Sequence, residues 1–393
     1  MIPVKPNICA INTYTTPWAA LDRTEYLRLD LNESTQPLPE YVLESMVRFI
    51  RDTGVECYPD YCGFYEKLSS YCPVPADWLL ATNGSDQGID VILRAFLAPG
   101  DEMVVARPEF AMFGNIANLL DAKIVGVPYA EQFQFPYETF HEAVSAATRL
   151  IVIINPNNPT GTPVSLEYIE WLLLKFPTIP ILVDEAYYEY TKTTSLDLLK
   201  RHDNLIVLRT FSKAFAMAGL RIGYIIARPE LIAHFEKIRG PFAVNSVALA
   251  AATAQIENQD PMQKHVEEVM ERSKPFTREF LSASGVSFNR GCRELFPNCR
   301  ARDRSFCFSS AITQDSGALI TRPATRWLDP HESWETIRDA PGKNCHHRIS
   351  VKGAGVLLCK VMTKTCGRMT MIRRIGFTKP PSMVMPMPNA IWA

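Results

Sequence analysis

The chain has 393 residues, 47% apolar and 21% charged, with a formal net charge of -1. That length allows about two or three domains with a sizeable core, and the apolar content excludes a disordered chain. No uninterrupted apolar run approaches the roughly 18 residues of a membrane span, and no cationic start followed by an apolar block opens the sequence, so a cytoplasmic protein with no membrane association is expected.

The 10 cysteines contain no CxxC pair and read as thiols, with no metal site indicated. The near-neutral charge hides an asymmetry. Residues 1–289 carry 24 Lys and Arg against 35 Asp and Glu, whereas residues 290–393 carry 17 against 7 together with six of the cysteines.

From about residue 80 to 255, short β-rich runs alternate with stretches of helical length, which predicts an α/β fold. Strands are expected at Met103 to Ala106, Ile124 to Val127, Leu150 to Ile154, Ile181 to Val183, Leu205 to Leu208 and Ile222 to Ile226. Their continuous apolar character predicts a mostly parallel sheet covered on both faces. Helices are expected at Gln87 to Leu97, Glu109 to Leu120, Tyr137 to Ala147, Leu166 to Lys175, Pro229 to Lys237 and, at greater length, Pro261 to Ser282. Beyond Phe288 neither a period of two nor one of 3.6 is sustained, and the last residues read as an unstructured apolar tail.

Four motifs sit where predicted strands end, the place where open α/β sheets build ligand sites. Asn83-Gly84-Ser85-Asp86 leads into a helix whose free N–H groups suit a phosphate, although the tetrapeptide is also an ordinary turn and N-cap. Asn155-Pro156-Asn157-Asn158-Pro159-Thr160-Gly161 is a loop whose successive amides could donate to a phenolate-like oxygen or form Asx turns. Asp184 ends a buried strand, which calls for a cationic partner such as a protonated ring nitrogen, or else a capping role. Finally, Thr210, Ser212 and Arg221 offer two hydroxyls and a guanidinium to a phosphate. Lys213 between apolar neighbours could have a lowered pKa and form an imine with an aldehyde, though most lysines are solvated surface residues.

In their order, Asn158-Pro159-Thr160-Gly161, Asp184-Glu185-Ala186-Tyr187, Ser212-Lys213-Ala214-Phe215 and Gly219-Leu220-Arg221-Ile222-Gly223 resemble the pyridoxal-phosphate aminotransferases of fold type I. Among them the chain is most similar to the histidinol-phosphate aminotransferases, over roughly residues 25–288. The resemblance implies a three-layer large domain with a mostly parallel central sheet and a smaller α/β domain. Residues 1–55 would form an N-terminal arm and part of the small domain, 56–257 the large domain, and 258–393 the C-terminal small domain, divergent or disrupted after about 288.

It also implies a site. Lys213 would hold pyridoxal 5'-phosphate and shuttle a proton, Asp184 would keep the pyridine nitrogen protonated, and Asn158 (or Asn157) with Tyr187 would bind the phenolic oxygen. Gly84, Ser85, Asp86, Thr210, Ser212 and Arg221 would surround the phosphate, with Ser85 and Asp86 acting through backbone N–H groups. Phe110 would stack on the ring, and Tyr58 would reach the cofactor of the neighbouring subunit in a homodimer. Asn32, Arg338 and Arg348 would bind substrate.

The activity implied is transamination of histidinol phosphate with 2-oxoglutarate, an amino donor and a 2-oxo acid acceptor, in histidine biosynthesis. A threonine-phosphate decarboxylase or an aromatic amino-acid aminotransferase would share the cofactor residues, and an inactive cofactor-binding protein is a further alternative. Nucleic-acid binding lacks any aromatic interleaving in the basic segment.

The family's small-domain strand with Ala-Asn-Phe is missing here. Yet residues 292–299 can be encoded by a sequence that, read one nucleotide later, gives Ala-Gly-Asn-Phe-Phe-Leu-Ile. A disrupted reading frame near residue 290 would account for this and for the jump in charge and cysteine usage, a divergent small domain being the alternative. Arg348-Ile349-Ser350-Val351, with Arg338 upstream, resembles the family's terminal anion-binding segment at a shorter spacing.

Overall fold

A computed structural model describes residues 2–11, 31–34, 36–283 and the short strands that follow, Ser287–Phe288, Asn298–Ala301, Arg304–Cys307, His346–Lys352 and Val356–Met362. Seven strands pair into one sheet: β1 (Leu79–Thr82), β2 (Glu102–Arg107), β3 (Lys123–Pro128), β4 (Thr148–Ile154), β5 (Ile181–Asp184), β6 (Leu205–Thr210) and β7 (Gly223–Ala227). The order across the sheet is β1-β7-β6-β5-β4-β2-β3. Pairings from β3 through β6 are parallel, while β7 runs antiparallel to both β6 and β1.

The apolar runs are continuous because both faces are covered, and period-two alternation divides each strand between two cores. Ile151, Ile153, Val183 and Val207 enter one cluster; Leu150, Val152, Leu182, Ile206 and Leu208 enter the other. The first is capped by the helices Cys62–Tyr71, Leu166–Lys175 and Ser246–Glu257, through residues such as Phe64, Leu172 and Ala252. The second is capped by Gly84–Phe96, Ala111–Leu119 and Pro229–Ile238, through Ile92, Phe113 and Phe235. The result is the three-layer α/β arrangement expected.

Several boundaries differ from expectation, each for a local reason. The first helix after β1 begins at Gly84 rather than Gln87, so Gly84, Ser85 and Asp86 form its first turn instead of a loop before it. The helix expected from Glu109 starts at Ala111 with Phe110 as its N-cap, and that expected to reach Ala147 stops at Glu142. The stretch expected as one helix runs through Asp260–Glu267, a wider π-helical turn at Glu268–Ser273, and Lys274–Ala283.

The chain divides into two compact units, one built chiefly on residues 29–311 and the other chiefly on 312–391. In the first, β8 (Ser287–Phe288), β9 (Asn298–Ala301) and β10 (Arg304–Cys307) form a small antiparallel sheet. In the second, β11 (His346–Lys352) and β12 (Val356–Met362) pair as an antiparallel ribbon with Arg348 opposite Lys360. Strand structure therefore exists in a region whose sequence shows no sustained period. Arg338 and the apolar tail lie outside the described residues.

Candidate active site

The C-terminal ends of β4, β5 and β6 and the turn after β1 supply the predicted residues. At the turn, Gly84 adopts φ +74°, and a Cβ there would lie 2.5 Å from Arg221 Nη2. The conformation favours glycine, while the crowding would fall on the movable end of the Arg221 side chain. The Thr82 hydroxyl donates to the Gly84 carbonyl (2.8 Å), and the Asn83 N–H donates to Gln87 Oε1 (2.7 Å). The next N–H groups, on Ser85 and Asp86, open the helix, where backbone donors and the dipole favour an anion. Gly223 at the start of β7 serves the same approach, since a Cβ would lie 2.7 Å from the Ser85 nitrogen.

Arg221, in the left-handed region at φ 55°, directs its guanidinium to this helix end. Its Nη2 donates to Asp86 Oδ2 (2.8 Å) and its Nη1 to the Ala218 carbonyl (3.2 Å). Both side chains of this ion pair are about 40% exposed, so water screens it and it contributes little to stability. An anion can therefore compete for Arg221 at low cost. The Thr210 and Ser212 hydroxyls are 3.0 Å apart, and the Ser212 N–H donates to Thr210 Oγ1 (3.1 Å).

Lys213 follows. Burial lowers its pKa and Arg221 adds to the effect, while Asp86, Glu33 and Asp184 oppose it. A lowered pKa enlarges the neutral, nucleophilic fraction of the amine. Its Nζ donates to the Leu31 carbonyl (2.8 Å) and lies 5.8 Å from the centre of the Tyr187 ring. The turn carrying it is held from behind by Gln255, whose buried amide donates to the Phe215 carbonyl (3.0 Å). That support was not legible in the motif, because Gln255 lies in an Ala-rich helix some forty residues away.

Asp184 is buried at the end of β5 and accepts one local bond, from the Ala186 N–H (3.0 Å). Burial first, then the Asp86 and Glu185 carboxylates, push its pKa up to about 7, against the Ala186 bond and Lys213. Among the described residues no Lys or Arg stands within ion-pair distance of it. Tyr187 is also buried, which raises its pKa, and its hydroxyl accepts from Asn32 Nδ2 (2.8 Å). Asn32, expected at the substrate, therefore stands beside Tyr187.

The structure separates the two loop amides. Asn157 is buried and donates to the Pro108 carbonyl (3.0 Å) and to Thr160 Oγ1 (2.9 Å), so its side chain is spent on the loop itself. Asn158 is partly buried and is not engaged in this way. Phe110 is partly buried at the N-cap of its helix. Tyr58 is 77% exposed and stacks on Phe242, with ring centres 4.1 Å apart. Arg348 is placed in β11 by its backbone, and Arg338 lies outside the described residues. Among the described residues no acidic, His or Cys cluster is arranged for a metal ion, and no helix is long and apolar enough to cross a membrane.

These residues fit pyridoxal 5'-phosphate. A helix N-terminus with a neighbouring Arg, cleared of side-chain atoms by Gly84, suits its phosphate. The buried Asp184, raised for want of a cation, suits a protonated ring nitrogen, and Lys213 suits its aldehyde.

Comparison with known proteins agrees. Residues 24–322 match the family of class I and II aminotransferases. The chain is 36% identical over 279 residues to histidinol-phosphate aminotransferase 1 of Cupriavidus pinatubonensis, covering 67% of this chain and 73% of that one. It is 33% identical over 275 residues to a dihydroxyacetone phosphate transaminase of Campylobacter jejuni, covering 68% and 75%. In fold it is similar to the histidinol-phosphate aminotransferase of Sinorhizobium meliloti solved with pyridoxal-5'-phosphate, with a TM-score of 0.68 and 24% identity over 75% of this chain and 82% of that one. A match running through all the strand-end residues, joined to a site shaped for this cofactor, means that the chain belongs to the class I and II aminotransferases, pyridoxal-phosphate enzymes of fold type I.

Proposed function

We propose that the chain transfers the amino group of histidinol phosphate to 2-oxoglutarate, working as a cytoplasmic homodimer. The observation that supports its cofactor chemistry is Asp184, a buried carboxylate with no Lys or Arg in ion-pair distance among the described residues, which suits a protonated ring nitrogen, and the relatives named above support the substrate. The bound cofactor supplies an electron sink for charge released at the substrate α-carbon. The chain supplies the rest. Lys213, whose burial shifts its amine toward the neutral form, would take the proton from the α-carbon and return it. Tyr187, whose hydroxyl accepts from Asn32, and Asn158 would hold the phenolic oxygen, and Phe110 would cover the ring. Arg221, Thr210, Ser212 and the Gly84–Asp86 turn would hold the phosphate. Arg348 and Arg338 are assigned to the substrate's anionic groups, and Tyr58, exposed beside Phe242, to the cofactor of the partner subunit.

The relatives named above act on different phosphate monoesters, which favours a phosphorylated substrate over an aromatic amino acid. The test is borohydride reduction of the cofactor-loaded protein with peptide mapping, followed by assay of histidinol phosphate against phenylalanine as amino donors to 2-oxoglutarate, and of dihydroxyacetone phosphate as an amino acceptor from glutamate. A label on Lys213 and preference for histidinol phosphate are expected. A label elsewhere overturns the cofactor assignment, and preference for another substrate overturns the specificity.

A further inference from the structure

Behind the site, the same two strands that present Asp184 and Thr210 carry a second pair of residues. Period-two alternation sends Leu208 and Thr210 to one face of β6 and Val207 and Arg209 to the other. Just past the end of β5, the Glu185 N–H donates to the Leu208 carbonyl (2.8 Å), extending the parallel ladder by one step. The Glu185 and Arg209 side chains then meet, each 1% exposed.

Arg209 Nε and Nη2 donate to Glu185 Oε2 at 3.0 and 2.8 Å, Nη2 also reaches Thr194 Oγ1 (2.7 Å), and Nη1 points at Cys72 Sγ (3.6 Å). The guanidinium lies 3.6 Å from the centre of the Tyr188 ring. Glu185 takes three further bonds, from the Thr194 hydroxyl (2.8 Å) and from the N–H and hydroxyl of Ser195 (2.6 and 2.7 Å). Glu189, whose carboxyl burial pushes toward the neutral form, accepts from the Tyr71 hydroxyl (3.0 Å) and borders the same cluster. One buried pair thus ties together the ends of β5 and β6, the segment 188–195 that follows Tyr187, and Cys72 at the end of the helix Cys62–Tyr71.

Burying both charges carries a desolvation penalty that an apolar pair of similar volume would avoid, so stability alone is a weak reason for it. Fixed geometry is a better one, because Asp184, Tyr187, Thr210 and Lys213 all hang from the segments it joins. We infer that Glu185 and Arg209 are positioning residues of the aminotransferase site, clamping the strand ends from the face opposite Asp184 and Thr210 so that Asp184, Tyr187 and Lys213 keep their mutual placement. The inference rests on the cofactor assignment above.

Two variants test it in protein stripped of cofactor and reloaded: Glu185→Leu with Arg209→Met, which removes the pair without leaving a lone buried charge, and Thr194→Val, which removes only the bridging hydroxyl. Three properties are read, namely the melting temperature, the dissociation constant for pyridoxal phosphate, and the pH midpoint of the bound cofactor's visible absorbance. The double variant should bind about tenfold more weakly and move the midpoint by about half a unit or more, and Thr194→Val should move both in the same direction by less. A folded double variant with parental affinity and midpoint overturns the proposal. If the double variant does not fold, parental values for Thr194→Val overturn it. A parent chain labelled elsewhere than Lys213 overturns the cofactor reading and the proposal with it.

Discussion

In protein stripped of cofactor, Asp184→Asn should stabilise the fold, increasingly so as pH rises. Burial is the main cause of the shift in Asp184 from 3.8 to about 7. A raised carboxyl pKa means that the folded state holds its proton while the unfolded state has released it. The contribution of Asp184 to stability is thus complete below about pH 4 and is lost progressively up to about pH 7. At about 1.4 kcal/mol per unit the full loss is about 4 kcal/mol, of which more than half falls between pH 5 and 7.5. Asn does not titrate, so the stability of the variant minus that of the parent isolates this group from every other carboxylate. Denaturant unfolding of both proteins at a series of pH values measures it. Saturating pyridoxal phosphate should reverse the order, because the parent alone has a carboxylate to pair with the ring nitrogen. A difference that changes by less than about 0.5 kcal/mol across that range refutes the assignment of Asp184 as a buried carboxylate in need of a cation.

The two loop amides should separate by assay. Asn157→Ala, which removes the side-chain donor to the Pro108 carbonyl and one of the donors to the Thr160 hydroxyl, should cost about 1–3 kcal/mol in unfolding measurements. Asn158→Ala should change stability by less than about 0.5 kcal/mol yet weaken cofactor binding several-fold, and the opposite pattern would exchange their roles. Shifting the reading frame so that residues 292–299 read Ala-Gly-Asn-Phe-Phe-Leu-Ile should raise transaminase turnover by orders of magnitude. Turnover by the present chain on the order of 10 per second would show instead that its small domain works as it stands.

How far the sequence spoke depended on the kind of information each feature carries. Strands β4, β5 and β6 were legible because burial on both faces makes them continuous apolar runs bounded by Pro, Asp and Asn. β1 (Leu79–Thr82) was not expected, although it is as short and as fully buried as β5. The antiparallel direction of β7 was equally hidden, since alternation is the same whichever way a strand runs. Gly84 read as a loop residue because glycine disfavours helix interiors, although its positive φ is what allows the helix to start beside Arg221. Asn157 and Asn158 are chemically identical, and only their partners in space tell them apart. Glu185 and Arg209 stand next to Asp184 and Thr210 in sequence, yet a motif draws the eye to the residues facing the ligand. Alternation would have placed their neighbours on the opposite face.

The cofactor residues from Gly84 to Arg221 all hang from one sheet with a core on both faces, and all precede the stretch where charge and cysteine usage change. Their placement depends on strand ends and on helix Gly84–Phe96, whose packing residues Ile89, Ile92 and Leu93 are fully buried. The residues assigned to the substrate's anionic groups are Arg338 and Arg348, both within the altered stretch. On these assignments cofactor binding rests on the sheet, whereas turnover needs Lys213 and the two arginines together, so binding can survive a loss of turnover. A label on Lys213 reports the first and transamination the second, so a chain that takes the label without turnover would locate its defect after residue 290, whereas loss of both would locate it in the sheet.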